Sequence, residues 1–290
     1  MSSEFPTLIA NHLWQSTVFA VAAGLLSLVF RRNRAPVRYA LWLAASLKFL
    51  VPFSLLVSLA TQWMPRPAPV LARSPLLPVI DQISRPFVYS ATVPSELPAP
   101  SRMPALLWSV WFCGVAVNVW GWSRQWRRMR AAARAATPLK LEAAIPVMST
   151  RSGLEPGVFG IRRPVLLLPE GIAQRMTPAQ LDAILVHEMC HVRRRDNLSA
   201  AVQMLVEALF WFHPLVWWIG NRLVDERERA CDEEVLRQCG DPEAYAEGIL
   251  HICRLYMESP LPCISGVTGS DLKKRVETIM AQQAIRKLDA

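Results

Sequence analysis

The sequence predicts an α-helical membrane protein whose C-terminal half forms an α+β domain. Three observations carry this. Hydrophobic residues make up 52% of the 290-residue chain and mean hydropathy is +0.22, yet the formal net charge is +9. Apolar stretches therefore alternate with concentrated basic ones, the pattern of a membrane protein. From Thr137 onward the long apolar runs give way to short segments punctuated by Gly and Pro, then to charged segments of helical period. The arginines cluster at the ends of apolar runs rather than along one polar face, so the basic balance reads as positive-inside charge and argues against direct nucleic-acid binding. Cys113, Cys190, Cys231, Cys239, Cys253 and Cys263 show no framework spacing and read as reduced thiols.

Leu8 to Phe30 is a run of 23 residues without a charge. As a helix it reaches about 34 Å, enough to cross a ~30 Å hydrocarbon core. Glu4 precedes it and Arg31, Arg32 and Arg34 follow, the reverse of a cleavable signal's charge order, so this helix is expected to stay. Tyr39 to Ala60 is a second run, apolar except for Lys48, with Pro52 as an expected kink; residues 1–60 thus hold two spans and a basic loop. Residues 61–103 contain nine prolines and are expected to form an extended outer loop. Residues 104–123 make a third span, and 124–290 a cytoplasmic domain. Four arginines between the first two spans and five after the third place both segments inside, leaving the N-terminus outside. The expected setting is the inner (cytoplasmic) membrane, in contact with lipid. Lys48, deep in its helix, needs a partner, for which Glu207, Asn11 and Gln15 are candidates.

In the domain, "IPVMST" and "PGVFGIRRPVLLLPEGI" read as short strands and turns, with Val165, Leu166, Leu167 and Leu168 as a buried or edge strand. Thr177 as N-cap, Pro178 at the first position and Gln180 three residues after the cap mark a helix start, predicting a helix from about Pro178 to Arg195. It carries "LVHEMCHVRRRDNL". On a helix, His187 and His191 project from one face and can aim ring nitrogens at a single ion, while Glu188 is turned ~100° away, within reach of a water at that ion. Two ligands and a base in this arrangement are what a zinc hydrolase requires, and random placement would give about 0.004 such motifs in a chain of this composition.

A catalytic zinc takes a third protein ligand. In "VDERERACDEEVLRQC" an inward stripe of Glu228, Cys231, Asp232 and Val235 offers Glu228 as that ligand and Asp232 as the group orienting a ligating histidine; Glu226, Arg227, Arg229, Glu233, Glu234 and Arg237 read as a solvated face. Ligation by Cys190, Cys231 or Asp232 is the competing assignment.

The HExxH of 187–191 followed by "RRRD", "WFHPLVWW" at 211–218, "ERACDEEVL" at 228–236, "NHLWQST" at 11–17 and "PGVFGIRRPVLLLPE" at 156–170 together resemble the BlaR/MecR-type membrane metallopeptidases, the antirepressor proteases of β-lactam sensing. The resemblance covers nearly the whole chain. It implies a gluzincin-type domain, with His187, His191 and Glu228 on Zn2+ and Glu188 as general base. It also implies a signal-transducing endopeptidase acting on a cytoplasmic protein such as a winged-helix repressor. The stretch from the zinc motif to Ala290 is expected to be too short for the penicillin-binding sensor domain of that family; "SDLK" at Ser270 to Lys273 has the sensor's nucleophile spacing but reads as a helix start.

Two expectations follow. If Glu228 joins His187, the apolar segment 199–220 cannot be a simple span; Gln203, Glu207 and the His213-Pro214 break favour a buried helix or a re-entrant pair of short helices, with His213 in a packing or capping role. Val165 to Leu168, as an edge strand, would bind an extended substrate by backbone pairing. The rival readings are an HtpX-like membrane quality-control protease and a non-catalytic scaffold whose structural zinc is closed by Cys190 or Cys231. Oligomeric state is left open, a dimer included.

Overall fold

The computed structural model describes residues 4–52, 82, 86–87, 103–151, 155–257, 277 and 279–280. These residues are mostly helical, with one small mixed sheet, and divide into two compact units: residues 1–33, 37–118 and 203–223, and residues 34–36, 119–202 and 224–290.

The first unit is built from apolar helices. α1 (Glu4–Val29) runs into a 3-10 turn at Phe30–Arg32; α2 is Ala35–Leu50 and α3 is Met103–Ala135. Two stretches, Pro6–Arg32 and Met103–Ala135, are long and apolar enough to cross a membrane. α2 stops at Leu50, two residues before Pro52, which ends the helix where a kink was expected. The remainder of the expected second span, nearly all of the Pro-rich loop and the Ser270–Lys273 motif lie outside the described residues.

The apolar segment 199–220 is not one helix. α6 (Asp196–Leu209) and α7 (Pro214–Gln238) are separated by a tight turn in which the His213 N–H donates to Phe210 O at 2.8 Å. His213 has the packing role expected of it, its ring 5.2 Å from that of Phe49 and its Nε2 3.1 Å from Thr17 Oγ1. Trp42, Phe49, Val206, Val216 and Ile219 close the apolar core of this unit. Inside it runs a short polar chain: Ser46 Oγ donates to Gln203 Oε1 at 2.6 Å, and Gln203 Nε2 donates to Glu207 Oε1 at 3.0 Å and Val216 O at 3.1 Å. Glu207 therefore serves Gln203. Lys48 instead donates to Val51 O at 3.4 Å, its flexible stem reaching a carbonyl just past the end of α2. Asn11, another of the three named candidates, bonds the backbone of Phe87.

The second unit holds the sheet, β1 (Thr137–Pro138), β2 (Val147–Thr150), β3 (Gly157–Phe159) and β4 (Val165–Pro169), in the order β1-β2-β4-β3. β4 pairs parallel with β2 and antiparallel with β3, so both of its backbone edges are used. Val165, Leu166, Leu167 and Leu168 thus form an interior strand, and the expectation that they present an edge to substrate is corrected. The reason is legible in the residues: an unbroken apolar run suits a strand covered on both faces, and Leu166 to Leu168 are at most 1% exposed. A short helix α4 (Ile172–Arg175) leads to α5 (Pro178–Arg194), and α8 (Pro242–Met257) packs beside it. Leu166, Ile172, Ile184, Val235, Tyr245 and Ile249 belong to one core.

α5 begins as expected, with a complete capping box: Gln180 N–H donates to Thr177 Oγ1 at 3.3 Å and the Thr177 N–H to Gln180 Oε1 at 3.1 Å. Replacing Thr177 with Ala should destabilise the protein by about 1 kcal/mol, while Ser should be nearly neutral. Thermal unfolding in detergent checks this.

Candidate metal centre

α5 and α7 bring together the side chains that the sequence nominates. His187 and His191, one turn apart on α5, stand with their rings at 83° and their Nε2 atoms 3.2 Å apart. Glu228, from α7, places Oε2 3.4 Å from His187 Nε2 and Oε1 3.8 Å from His191 Nε2. The three groups form one cluster with metal-ligand spacing.

The opposite nitrogen of each ring is occupied. His191 Nδ1–H donates to Asp196 Oδ2 at 2.8 Å. His187 Nδ1 is 2.7 Å from the Tyr245 hydroxyl, which itself donates to Asp232 Oδ1 at 2.7 Å; that same carboxylate oxygen is 3.4 Å from His187 Nδ1. A carboxylate can only accept, and the tyrosine's proton is used on Asp232, so both histidines carry their proton on Nδ1. Both Nε2 atoms then present lone pairs.

Two facing lone pairs and a carboxylate repel one another, so a cation between them stabilises this partly buried group, in addition to Arg227 Nε, which lies 3.4 Å from Glu228 Oε1. Tetrahedral ligands about 2.0–2.1 Å from zinc lie roughly 3.3 Å from one another. The observed separations of 3.2, 3.4 and 3.8 Å match that spacing, so the donor set fits a zinc ion. Glu188 is buried, 7% exposed, on the same helix next to His187.

Among the competing ligands, Cys231 belongs to a second group with metal-ligand spacing, formed with His191 and Asp196 on the other side of the His191 ring. Cys231 Sγ is 3.4 Å from His191 Nδ1, the nitrogen turned away from the converging donors, and Cys231 also hydrogen-bonds Cys190. That bond, together with the positive charge of Arg194, holds the Cys190 thiol down to about 7; the same bond and burial push Cys231 up. Asp232 stays on the Nδ1 side of His187.

The charged remainder of α7 departs from expectation. Glu226 is buried and accepts from Arg229 at 2.9 Å, and both Glu233 oxygens accept from the Ala35 N–H at 3.1 Å, capping the start of α2. Only Arg237 of the six is exposed. The helix is packed on more sides than an amphipathic pattern implies.

Two residues were not assigned from the sequence. Asp196 lies just beyond the C-terminus of α5, and reaches back to His191 because Arg195 adopts a left-handed conformation, φ 56°. Tyr245 comes from α8, and nothing in "PEAYAEGI" marks it apart from any inward aromatic residue.

The model of the BlaR1 peptidase M56 family matches residues 8–279, and the chain belongs to that family. Among curated relatives, regulatory protein BlaR1 of Bacillus licheniformis is 34% identical over 149 residues, 49% of this chain and 25% of that protein. The methicillin resistance mecR1 protein of Staphylococcus aureus is 25% identical over 138 residues, 46% of this chain and 23% of that protein. The matched part is thus about a quarter of these relatives' length.

The hydrogen bonds behind the rings are testable. Asp196→Ala and Tyr245→Phe should each weaken zinc binding by about 10–100-fold without unfolding the protein. Competition titration against a zinc chelator measures this, with circular dichroism as the check on folding.

Proposed function

We infer that this protein is a membrane-embedded zinc metalloendopeptidase of gluzincin type, which transduces a signal by cleaving a cytoplasmic protein such as a winged-helix transcriptional repressor. The observation that carries the reading is the convergence of His187 Nε2, His191 Nε2 and the Glu228 carboxylate, in a chain of the M56 peptidase family. The names of the relatives, a regulatory protein and a resistance protein, support the signalling role.

His187, His191 and Glu228 would hold the zinc. When bound, the metal supplies Lewis acidity that favours attack by water on a peptide carbonyl. Glu188 is the general base: it takes a proton from the attacking water and delivers it to the leaving amine. Asp232, through Tyr245, and Asp196 hold the Nδ1 protons, keeping each Nε2 lone pair aimed at the site. The packing of Cys231 against Nδ1 of His191 leaves the Nε2 side open, which favours an enzyme over a scaffold with a closed structural metal.

The same assignment constrains topology. His187 and Glu228 must lie on one side of the membrane, so α6 and the start of α7 form a re-entrant helical pair that returns to the cytoplasm, with the N-terminus outside. The turn at 210–213 supports this path.

Zinc content and proteolysis in detergent-purified protein test the roles together, with casein and a purified winged-helix repressor as substrates. Glu188→Ala should retain one equivalent of zinc and lose cleavage by about 10²–10⁴-fold, while Glu228→Ala should lose both. Zinc unchanged in Glu228→Ala would overturn the ligand assignment and remove the need for the re-entrant path.

A further inference from the structure

We propose that the β3–β4 turn, Gly160 to Arg163, docks on the anionic headgroups of the membrane surface and thereby fixes the height and orientation of the metallopeptidase unit. The inference rests on reading α3 as a membrane helix.

The apolar part of α3, Pro104 to Trp122, has the length of a span: 19 residues rise about 28 Å, against a hydrocarbon core of ~30 Å. Trp120 and Trp122 end it, as interfacial aromatics do. Trp126 is one helical turn farther, about 6 Å, which places it among the headgroups. At that level α3 turns basic. Arg124, Arg127, Arg128, Arg130 and Arg134 are all exposed and, at ~100° per residue, fall within an arc of about 160° that Trp126 flanks. No acidic residue occurs between Glu96 and Glu142 to neutralise them.

Trp126 is where the sheet meets this helix. Its ring lies 4.7 Å from that of Phe159, the last residue of β3. The chain then turns: Gly160 has φ +100°, and a Cβ there would lie 2.7 Å from Arg163 O, so the tight bend requires glycine. The residues projected by the bend are Ile161, 48% exposed, and the exposed Arg162 and Arg163. Behind the turn, Asn197 Nδ2 donates to Val158 O at 3.0 Å and Gly160 O at 2.8 Å, bracing the hairpin against the residue that follows Asp196. An exposed apolar residue beside two arginines, in a turn joined through Phe159 and Trp126 to a helix that carries five more, matches an anionic bilayer surface: Ile161 enters the interface while the guanidinium groups pair with lipid phosphates. A protein partner for the same patch would have to share space with those headgroups, which favours lipid.

The test is hydrogen–deuterium exchange of the full-length chain in nanodiscs of phosphatidylcholine, with and without about one-third phosphatidylglycerol. Amides of residues 159–165 should exchange about tenfold more slowly in the anionic discs, and added salt should reverse the effect. Arg162→Glu with Arg163→Glu should abolish the difference while zinc content stays at the wild-type level; Arg162→Lys with Arg163→Lys should preserve it. Equal exchange in both lipids, with residues 108–118 protected in both, would overturn the docking while leaving α3 as a span. Rapid exchange of 108–118 would overturn the span itself, and the docking with it.

Discussion

The arrangement around His187 and His191 depends on which nitrogen of each ring carries the proton. An imidazole offered to a metal must present a lone pair, and a neutral ring has only one. Here both Nδ1 atoms face acceptors, Asp196 directly and Tyr245 backed by Asp232, so both Nε2 atoms are left to face Glu228. The geometry of the site therefore follows from groups that do not themselves belong to the ligand cluster.

Holding those groups requires three separate devices. Asp196 is brought back by a residue in the left-handed conformation, Arg195, at a cost of about 1 kcal/mol for a side chain larger than glycine. The carboxylate it positions is 2% exposed and also accepts from Arg194 Nε at 3.3 Å, so two donors offset its desolvation. Asp232 follows Glu228 by one helical turn on α7, and the register that points the glutamate at Nε2 delivers the aspartate to Nδ1 of the same histidine. Tyr245 is fully buried, and its hydroxyl bridges a histidine and a carboxylate that stand 3.4 Å apart. That bridge satisfies a donor and an acceptor at once in a region without solvent.

How much of this was legible in the sequence varies with the kind of spacing involved. His187, His191, Glu228 and Asp232 were read from the four-residue repeat of a helix, and the structure gathers all four. Thr177 and Gln180 were equally legible, since a capping box is a purely local pattern. The break at His213-Pro214 was visible because proline has few places in a helix. Tyr245 and Asp196 were not, for one depends on a contact 58 residues away in the chain and the other on a single unusual dihedral angle. Val165 to Leu168 was recognised as a strand, but its place in the sheet depends on how strands from distant segments order themselves. The solvated face assigned to α7 failed similarly: a charge pattern gives the polarity of a helix surface, and Glu233 shows that a polar surface can still be spent capping another helix.

The burial gradient across the cluster bears on how such a site works. The His187 side chain is 7% exposed and that of Asp232 10%, whereas those of His191 and Glu228 are 15% and 23% exposed. One side of the cluster is thus packed into the core that includes Tyr245, and the other opens toward solvent. A ligand set anchored at one end and open at the other keeps its donor geometry while leaving a position for a reactant. The rigidity comes from α5 and α8, whose packing also encloses Ile184 and Ile249, so the precision of the histidines is inherited from the apolar core rather than from the polar groups alone.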